Sequence, residues 1–275
     1  MPTVAILGAG DIGGAVAREI AALDLVSRIV LVDDLANVAA GKALDVAQSA
    51  PVDRYHTALA GTSDVAAVVG AAAIVFADGR EDESGFALLR RVAGLNQNAP
   101  VICAGAKHAS IVEKAVNEAG LSRIRVFGSA PEALRSAVIA ITAAEANSAP
   151  ADISLSVLGR PPQQIIVPWD EASIAGRSAT NVLTAAQLAR LDARIARLWP
   201  PGPYALASAA ARMIRTAFTR SPRVHAALVA VTREEGMPGR SAMMPVTLDP
   251  KGIVSLVPPS LSTRDRVRFE TTLRA

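Results

Sequence analysis

Val4-Ala5-Ile6-Leu7-Gly8-Ala9-Gly10-Asp11-Ile12-Gly13, answered by Asp33 at the end of the apolar run Arg28-Ile29-Val30-Leu31-Val32, is the stretch that decides the fold. Its first four residues show no polar alternation, so they read as a parallel strand buried on both faces. Gly8 permits the tight turn that follows. Gly10 lets the backbone approach a bound pyrophosphate, and Gly13 lets the next helix pack close to the strand. Ile12, Val16 and Ile20 recur at helical spacing, giving one apolar face and leaving the first-turn amides to point at phosphates. Asp33 is placed to accept from both hydroxyls of a ribose, and its charge repels a 2′-phosphate. Together these parts read as a dinucleotide cradle that prefers NAD to NADP. Gly8, Gly10, Asp11, Ile12, Gly13 and Asp33 are its candidate cofactor contacts, with Ala77, at the end of a later strand, added to them.

Downstream, apolar runs continue to alternate with helical patterns. A helix is expected over Gly41–Ser49, stopped before Pro51, then a strand over Ala72–Ala77. A helix from about Phe86 to Asn96 presents Leu88, Leu89, Val92 and Leu95. The strand Val101–Ala104, the helix Ile111–Glu118 and the strand Arg123–Phe127 complete a doubly wound parallel sheet over residues 1–128. From 129 to 275 the pattern changes to runs of helices followed by runs of strands, which suggests an α+β C-terminal domain. Its expected elements are a helix Leu134–Ala146, a strand Ile153–Leu158 and a helix opened by the capping box at Thr184 and Gln187. A helix Ala205–Thr219 and strands His225–Val231, Ala242–Leu248 and Ile253–Val257 follow, the last two joined through Asp249-Pro250-Lys251-Gly252. A polar helix after Ser262 ends the chain.

A chain of 275 residues that is 51% hydrophobic and 19% charged buries a substantial core and is not disordered. The formal charge is a mild +3, and the local arginine clusters, Arg212/Arg215/Arg220/Arg223 and Arg264/Arg266/Arg268, have no interleaved aromatics for stacking bases. They read as solvated faces, and no nucleic-acid partner is expected. The lone Cys103 lies in the apolar run Val101–Ala104, so it reads as a buried small residue and excludes a disulfide within the chain. Three separated histidines give no metal-ligand spacing, and no metal is expected. With no leader ahead of the first strand and no membrane-length apolar run, a cytoplasmic protein is expected.

These residues resemble the lactate/malate dehydrogenase family. The opening Val4–Gly13 and Leu31-Val32-Asp33 match its cofactor half, and Gly41-Lys42-Ala43-Leu44-Asp45 with Gln48 and Ala50-Pro51 is similar to the malate-type branch. Likeness continues more thinly through the closing hairpin with Met244-Pro245-Val246. The resemblance implies NAD as cofactor, a small-molecule substrate, and a homodimer through the Gly41–Pro51 helix. It also implies a histidine, held by an aspartate, that exchanges a proton with the substrate hydroxyl, and arginines that bind the substrate carboxylate.

The substrate side of that pattern is missing here. Where the family places Gly-Gly-His-Gly-Asp, this chain has Leu158-Gly159-Arg160-Pro161-Pro162-Gln163-Gln164. The helix-opening aspartate motif is replaced by Pro131-Glu132-Ala133-Leu134-Arg135, in which Glu132 is a nearby carboxylate that, without the imidazole, has nothing to orient. Arg135 is either the retained carboxylate-binding arginine or a solvent-facing helix residue. The mobile loop is shortened to Asp78–Gly85, with Arg80 the one stand-in arginine. The Thr-Asn-Pro turn has become Ala104-Gly105-Ala106-Lys107-His108. His108, at the carboxyl end of a strand, is either a relocated general acid or a surface histidine, whereas His225 reads as packed or hydrogen-bonded within the fold. The expected function is therefore a dinucleotide-binding homologue that has lost the usual hydride transfer; the alternative is an active NAD-dependent oxidoreductase with a changed substrate and reassigned groups. The candidate catalytic residues are His108, Arg135 and Arg80.

Overall fold

The computed structural model describes residues 2–78, 83–231 and 240–274. The chain opens with β1 (Thr3–Leu7), α1 (Asp11–Ala22), β2 (Arg28–Val32), α2 (Ala36–Asp53) and β3 (Ala58–Thr62). It continues through β4 (Ala73–Phe76), α3 (Glu83–Leu95), β5 (Val101–Cys103), α4 (Ala109–Asn117) and β6 (Val126–Gly128). These six strands pair in parallel in the order β3-β2-β1-β4-β5-β6, the Rossmann arrangement. The order reverses between β1 and β4, so a crevice forms beyond their carboxyl ends.

The uniformly apolar strands follow from this layering. Leu7, Val32, Phe76 and Cys103 point to one side of the sheet, against Leu89, Val92, Ile111 and Leu134 of the helices there. Their neighbours Ile6, Leu31, Val75 and Ile102 point to the other side, against Val16, Ile20, Met213 and Ile214. With both faces covered there is no wet side for polar residues to occupy.

The second half contributes α5 (Ala130–Ala146), β7 (Ile153–Ser154), β8 (Leu158–Arg160), β9 (Gln164–Ile166), β10 (Ser173–Ile174) and β11 (Arg177–Ser178). Then come α6 (Ala179–Val182), α7 (Ala185–Ile195), α8 (Pro203–Thr219), β12 (His225–Ala230), β13 (Ser241–Asp249), β14 (Gly252–Leu256) and α9 (Thr263–Arg274). β12 joins β6 antiparallel through Leu228 and Gly128, and the sheet runs on through β13, β8 and β9. β14 pairs with β13, and β7, β10 and β11 form a separate small sheet. The expected class, a doubly wound parallel sheet followed by an α+β portion, is the one observed.

Several local expectations need correction. α2 runs through Pro51 to Asp53 and ends at Arg54, which adopts φ 61° with its N–H on the Ala50 carbonyl. A proline in the last turn forfeits only one helical bond, so it does not have to stop the helix. The expected strand Ile153–Leu158 is two strands in different sheets, because Ile153–Ser154 pair with β10 whereas Leu158–Arg160 pair with β13 and β9. Leu95 is 38% exposed rather than inward-facing. The last parallel strand starts at Val126, since Arg125 turns its guanidinium onto the carbonyls of Asn96 and Ala99. An unanticipated strand, β3, borders the sheet.

Candidate functional site

The crevice at the sheet's switch point is built from the turns after β1, β2, β4 and β5. Gly8 makes the first turn with φ 95°, and its N–H donates to the Val32 carbonyl at 2.8 Å. A Cβ on Gly13 would lie 2.0 Å from the Gly8 carbonyl oxygen, so helix and strand touch at a distance only glycine allows. Asp33 sits half-buried at the end of β2. Its Oδ2 accepts the Ala9 N–H at 2.9 Å and its Oδ1 the Leu35 N–H at 3.1 Å. The carboxylate is thereby fixed beside the glycine loop, with lone pairs left to accept ribose hydroxyls. Asp11 is exposed in the first turn of α1, and Ala77 is buried, its N–H on the Leu7 carbonyl at 2.9 Å.

The residue that sequence reasoning missed is Asp78. Placed two residues beyond the end of β4, it extends its carboxylate across the glycine loop: Oδ1 accepts the Ile12 N–H at 3.0 Å and Oδ2 the Gly13 N–H at 2.6 Å. A Cβ on Gly10 would lie 2.9 Å from Cγ of Asp78, and one on Gly8 would lie 2.7 Å from its Cβ. The space that glycines clear for a pyrophosphate is here filled by a side chain of the same chain. Burial pushes the Asp78 carboxyl up from its ordinary value, against the downward pull of the Gly13, Ile12 and Gly10 amides, and the Asp11 charge adds to the rise. The signal for it was present in the sequence: an acid immediately after an apolar strand whose carboxyl end adjoins the glycine turn.

Tested against a nicotinamide dinucleotide, the ribose end of the cradle fits, through Asp33. The phosphate end does not fit while Asp78 holds the two amides.

Beside this cradle is a cleft of about 420 Å³ bordered by Ile12, Ala77, Asp78, Lys107, His108 and Leu206. His108 is buried, not a surface residue, and precedes the first turn of α4. Its Nδ1 accepts the Gly105 N–H at 3.0 Å, and its ring meets Phe76 edge-on at 5.2 Å between centroids. Accepting at Nδ1 leaves the proton of the neutral ring on Nε2. Arg80, the third candidate catalytic residue, lies outside the described residues.

Arg135 and Glu132 come together on α5. The guanidinium grips the buried carboxylate at two points, Nε to Oε2 at 2.9 Å and Nη2 to Oε1 at 2.8 Å. Oε2 also accepts the Ala226 N–H at 2.9 Å, and Nδ1 of His225 lies 3.2 Å from Oε1, at ion-pair distance. His225 is wholly buried, with Nε2 2.8 Å from the Thr216 hydroxyl. Glu132 therefore does have an imidazole partner, drawn from β12 instead of the family position. Burial alone raises its carboxyl; His225 and Arg135 outweigh that and bring it down to about 2. Arg135 faces Glu132 rather than solvent. A second cleft, about 970 Å³, has Arg135, Arg212, Arg223 and His225 on its walls and shares no lining residue with the first. The switch point favours the smaller one as the ligand site.

Arg160, in the segment that replaces the family's histidine motif, points back to Glu113 of α4 at 2.9 Å, and the Ser241 N–H and hydroxyl reach the same oxygen at 2.8 Å. The turn beyond it is a cis Pro161–Pro162. His56 is exposed, at 3.1 Å from Asp24. Burial pushes the Cys103 thiol up to about 12, so it is no nucleophile at neutral pH. Among the described residues no cluster of three metal-ligating side chains occurs, and no helix is long and apolar enough to cross a membrane.

No protein-family model matches the chain. The malate dehydrogenase of Trichormus variabilis is 26% identical over 301 residues, spanning 100% of this chain and 92% of that one. The malate dehydrogenase of Thermomicrobium roseum is 25% identical over 294 residues, spanning 99% and 95%. Among solved structures, the lactate dehydrogenase of Cryptosporidium parvum complexed with lactic acid and nicotinamide adenine dinucleotide superposes with TM-score 0.88 at 19% identity, over 99% of this chain and 95% of that one. The malate dehydrogenase of the same organism gives 0.84 at 19% identity, over 99% and 96%. The structural likeness shows the fold shared with lactate and malate dehydrogenases, and along its whole length the chain is similar in sequence to curated malate dehydrogenases.

Proposed function

We propose that this protein is a degenerate homologue of the lactate and malate dehydrogenases, which binds a nicotinamide dinucleotide at the switch-point crevice without carrying out the usual oxidation of malate or lactate. Residues 1–128 form the nucleotide-binding unit and 129–275 the substrate-type unit. One observation carries the reading: the Arg135 guanidinium, the candidate for holding a substrate carboxylate, is already held at two points by Glu132. Nor is there an imidazole in the family's segment, where Arg160 is tied to Glu113. Loss of a general acid typically costs about 10² to 10⁴ in rate, and loss of a free carboxylate-binding arginine compounds it. The test is NADH oxidation with oxaloacetate and with pyruvate, beside an NADH fluorescence titration. Saturable binding without turnover supports the proposal; turnover at ordinary dehydrogenase rates refutes it.

A second reading, an oxidoreductase with reassigned groups acting on a less anionic substrate, is favoured by His108 bordering the crevice cleft. A screen of 2-oxo acids, aldehydes and ketones with NADH addresses it. Turnover abolished by His108→Ala supports reassignment, and turnover indifferent to that change removes His108 from the site. The protein is further proposed to be a cytoplasmic homodimer. Leu44 and Val52, eight residues apart on α2, are 59% and 81% exposed on the helix that the family resemblance assigns to the interface. Sedimentation at micromolar concentration tests this, a monomer being the contrary result.

A further inference from the structure

We propose that Asp78 is a built-in occupant of the phosphate cradle, a self-ligand that must withdraw before a dinucleotide can seat its pyrophosphate. The inference deepens the dinucleotide reading given above and rests on it. The first amides of a helix form an anion site because they have no partner within the helix and carry the positive end of its dipole. In α1 the residue before the helix is Gly10, which offers no side-chain cap. The cap arrives instead from β4, when Oδ1 and Oδ2 of Asp78 take the Ile12 and Gly13 N–H groups at 3.0 and 2.6 Å.

The shape of the glycine loop agrees with occupation of the cradle by this carboxylate. A Cβ on Gly10 would lie 2.9 Å from Cγ of Asp78 and one on Gly13 2.8 Å from its Oδ2, whereas Gly8 is crowded by the backbone and Cβ of Asp78. A pyrophosphate and the Asp78 carboxylate cannot share these amides. Their like charges would also repel at close range. Asp78 lies at the carboxyl end of β4, so swinging its side chain out of the cradle leaves the strand pairing intact. The consequence is a nucleotide affinity set by competition between an internal and an external anion.

The test uses two variants of the full chain. Asp78→Asn removes the charge and keeps the shape and an acceptor; Asp78→Gly empties the cradle. Binding of NADH is followed by fluorescence and binding of inorganic pyrophosphate by calorimetry, with a circular-dichroism melt to show that each variant folds. Both ligands are expected to bind about tenfold or more tightly to the folded variants than to the wild type. If pyrophosphate binding gains tenfold while NADH binds neither wild type nor variant, the self-ligand stands and the dinucleotide reading falls. If NADH binds the wild type and neither affinity changes in folded variants, the self-ligand is overturned and the dinucleotide reading survives. If folded variants gain affinity for neither ligand and NADH binds none of them, both are overturned.

Discussion

Glu132 and Arg135, one helical turn apart on α5, form a two-point ion pair with side chains only 4% and 18% exposed. The same carboxylate reaches across the molecule to the Ala226 N–H and to His225, so it joins α5 to β12. Removing one member of such a buried pair leaves the other charge uncompensated, which costs about 3 to 5 kcal/mol. Glu132→Gln is therefore expected to lower stability by that order in urea denaturation. A loss below about 1 kcal/mol, the range of exposed ion pairs, would contradict this account.

Acid is expected to act through the same carboxyl. Glu132 is held at about 2 in the fold against an ordinary value of 4.5, with burial opposing and His225 and Arg135 prevailing. A depressed carboxyl contributes stability that is present above its ordinary value and is lost as pH falls toward the folded one. The window is thus from about pH 4.5 down to about pH 2. A shift of this size corresponds to about 3 kcal/mol. Melting temperatures taken between pH 6 and pH 2.5 should fall more steeply for the wild type than for Glu132→Gln, and parallel curves would assign the acid sensitivity elsewhere.

Asp33 is expected to set the choice between the two nicotinamide cofactors. Its carboxylate is held by the Ala9 and Leu35 N–H groups in the position that a ribose 2′-hydroxyl would meet. Asp33→Ser should weaken NADH by about tenfold, the loss of a hydrogen bond to a charged group, and narrow the gap between NADH and NADPH. Competitive titration of the two cofactors reads the ratio. An unchanged ratio would move the adenosine ribose away from Asp33.

Cys103 offers a probe of the fold. Buried among the strands and with its thiol raised to about 12, it should resist a thiol-specific dye in native buffer and react only as the chain unfolds in urea. Stoichiometric labelling within seconds under native conditions would place it at a surface.

The opening βαβ unit was legible because each of its requirements is local: an apolar strand, a glycine turn, a helical stripe and an acid at a fixed offset. The Thr184–Gln187 capping box and the Asp249–Gly252 hairpin were legible for the same reason, and both form as expected. β3 was not. Its Ala58-Leu59-Ala60-Gly61-Thr62 has little β-branched character and one glycine, which is there because α2 crosses so closely that a Cβ on Gly61 would lie 2.2 Å from the Ala39 backbone. The pairing of Glu132 with His225 spans most of the second half of the chain, and no periodicity encodes it. Asp78 was hidden differently. It reads as loop punctuation after a strand, and its role exists only because β4 lies next to β1.

That adjacency has a thermodynamic consequence. In a protein whose ligand site is empty before binding, ligand stabilises the fold by simple mass action. Here the amides of Ile12 and Gly13 are already satisfied when the chain folds, so a ligand that has to displace Asp78 binds with a weaker observed affinity and, at a given concentration, stabilises the fold less. The helix is completed at folding, with no cofactor needed to finish it. The mark of that competition is a thermal shift on adding nucleotide that is smaller for the wild type than for Asp78→Asn at the same ligand concentration.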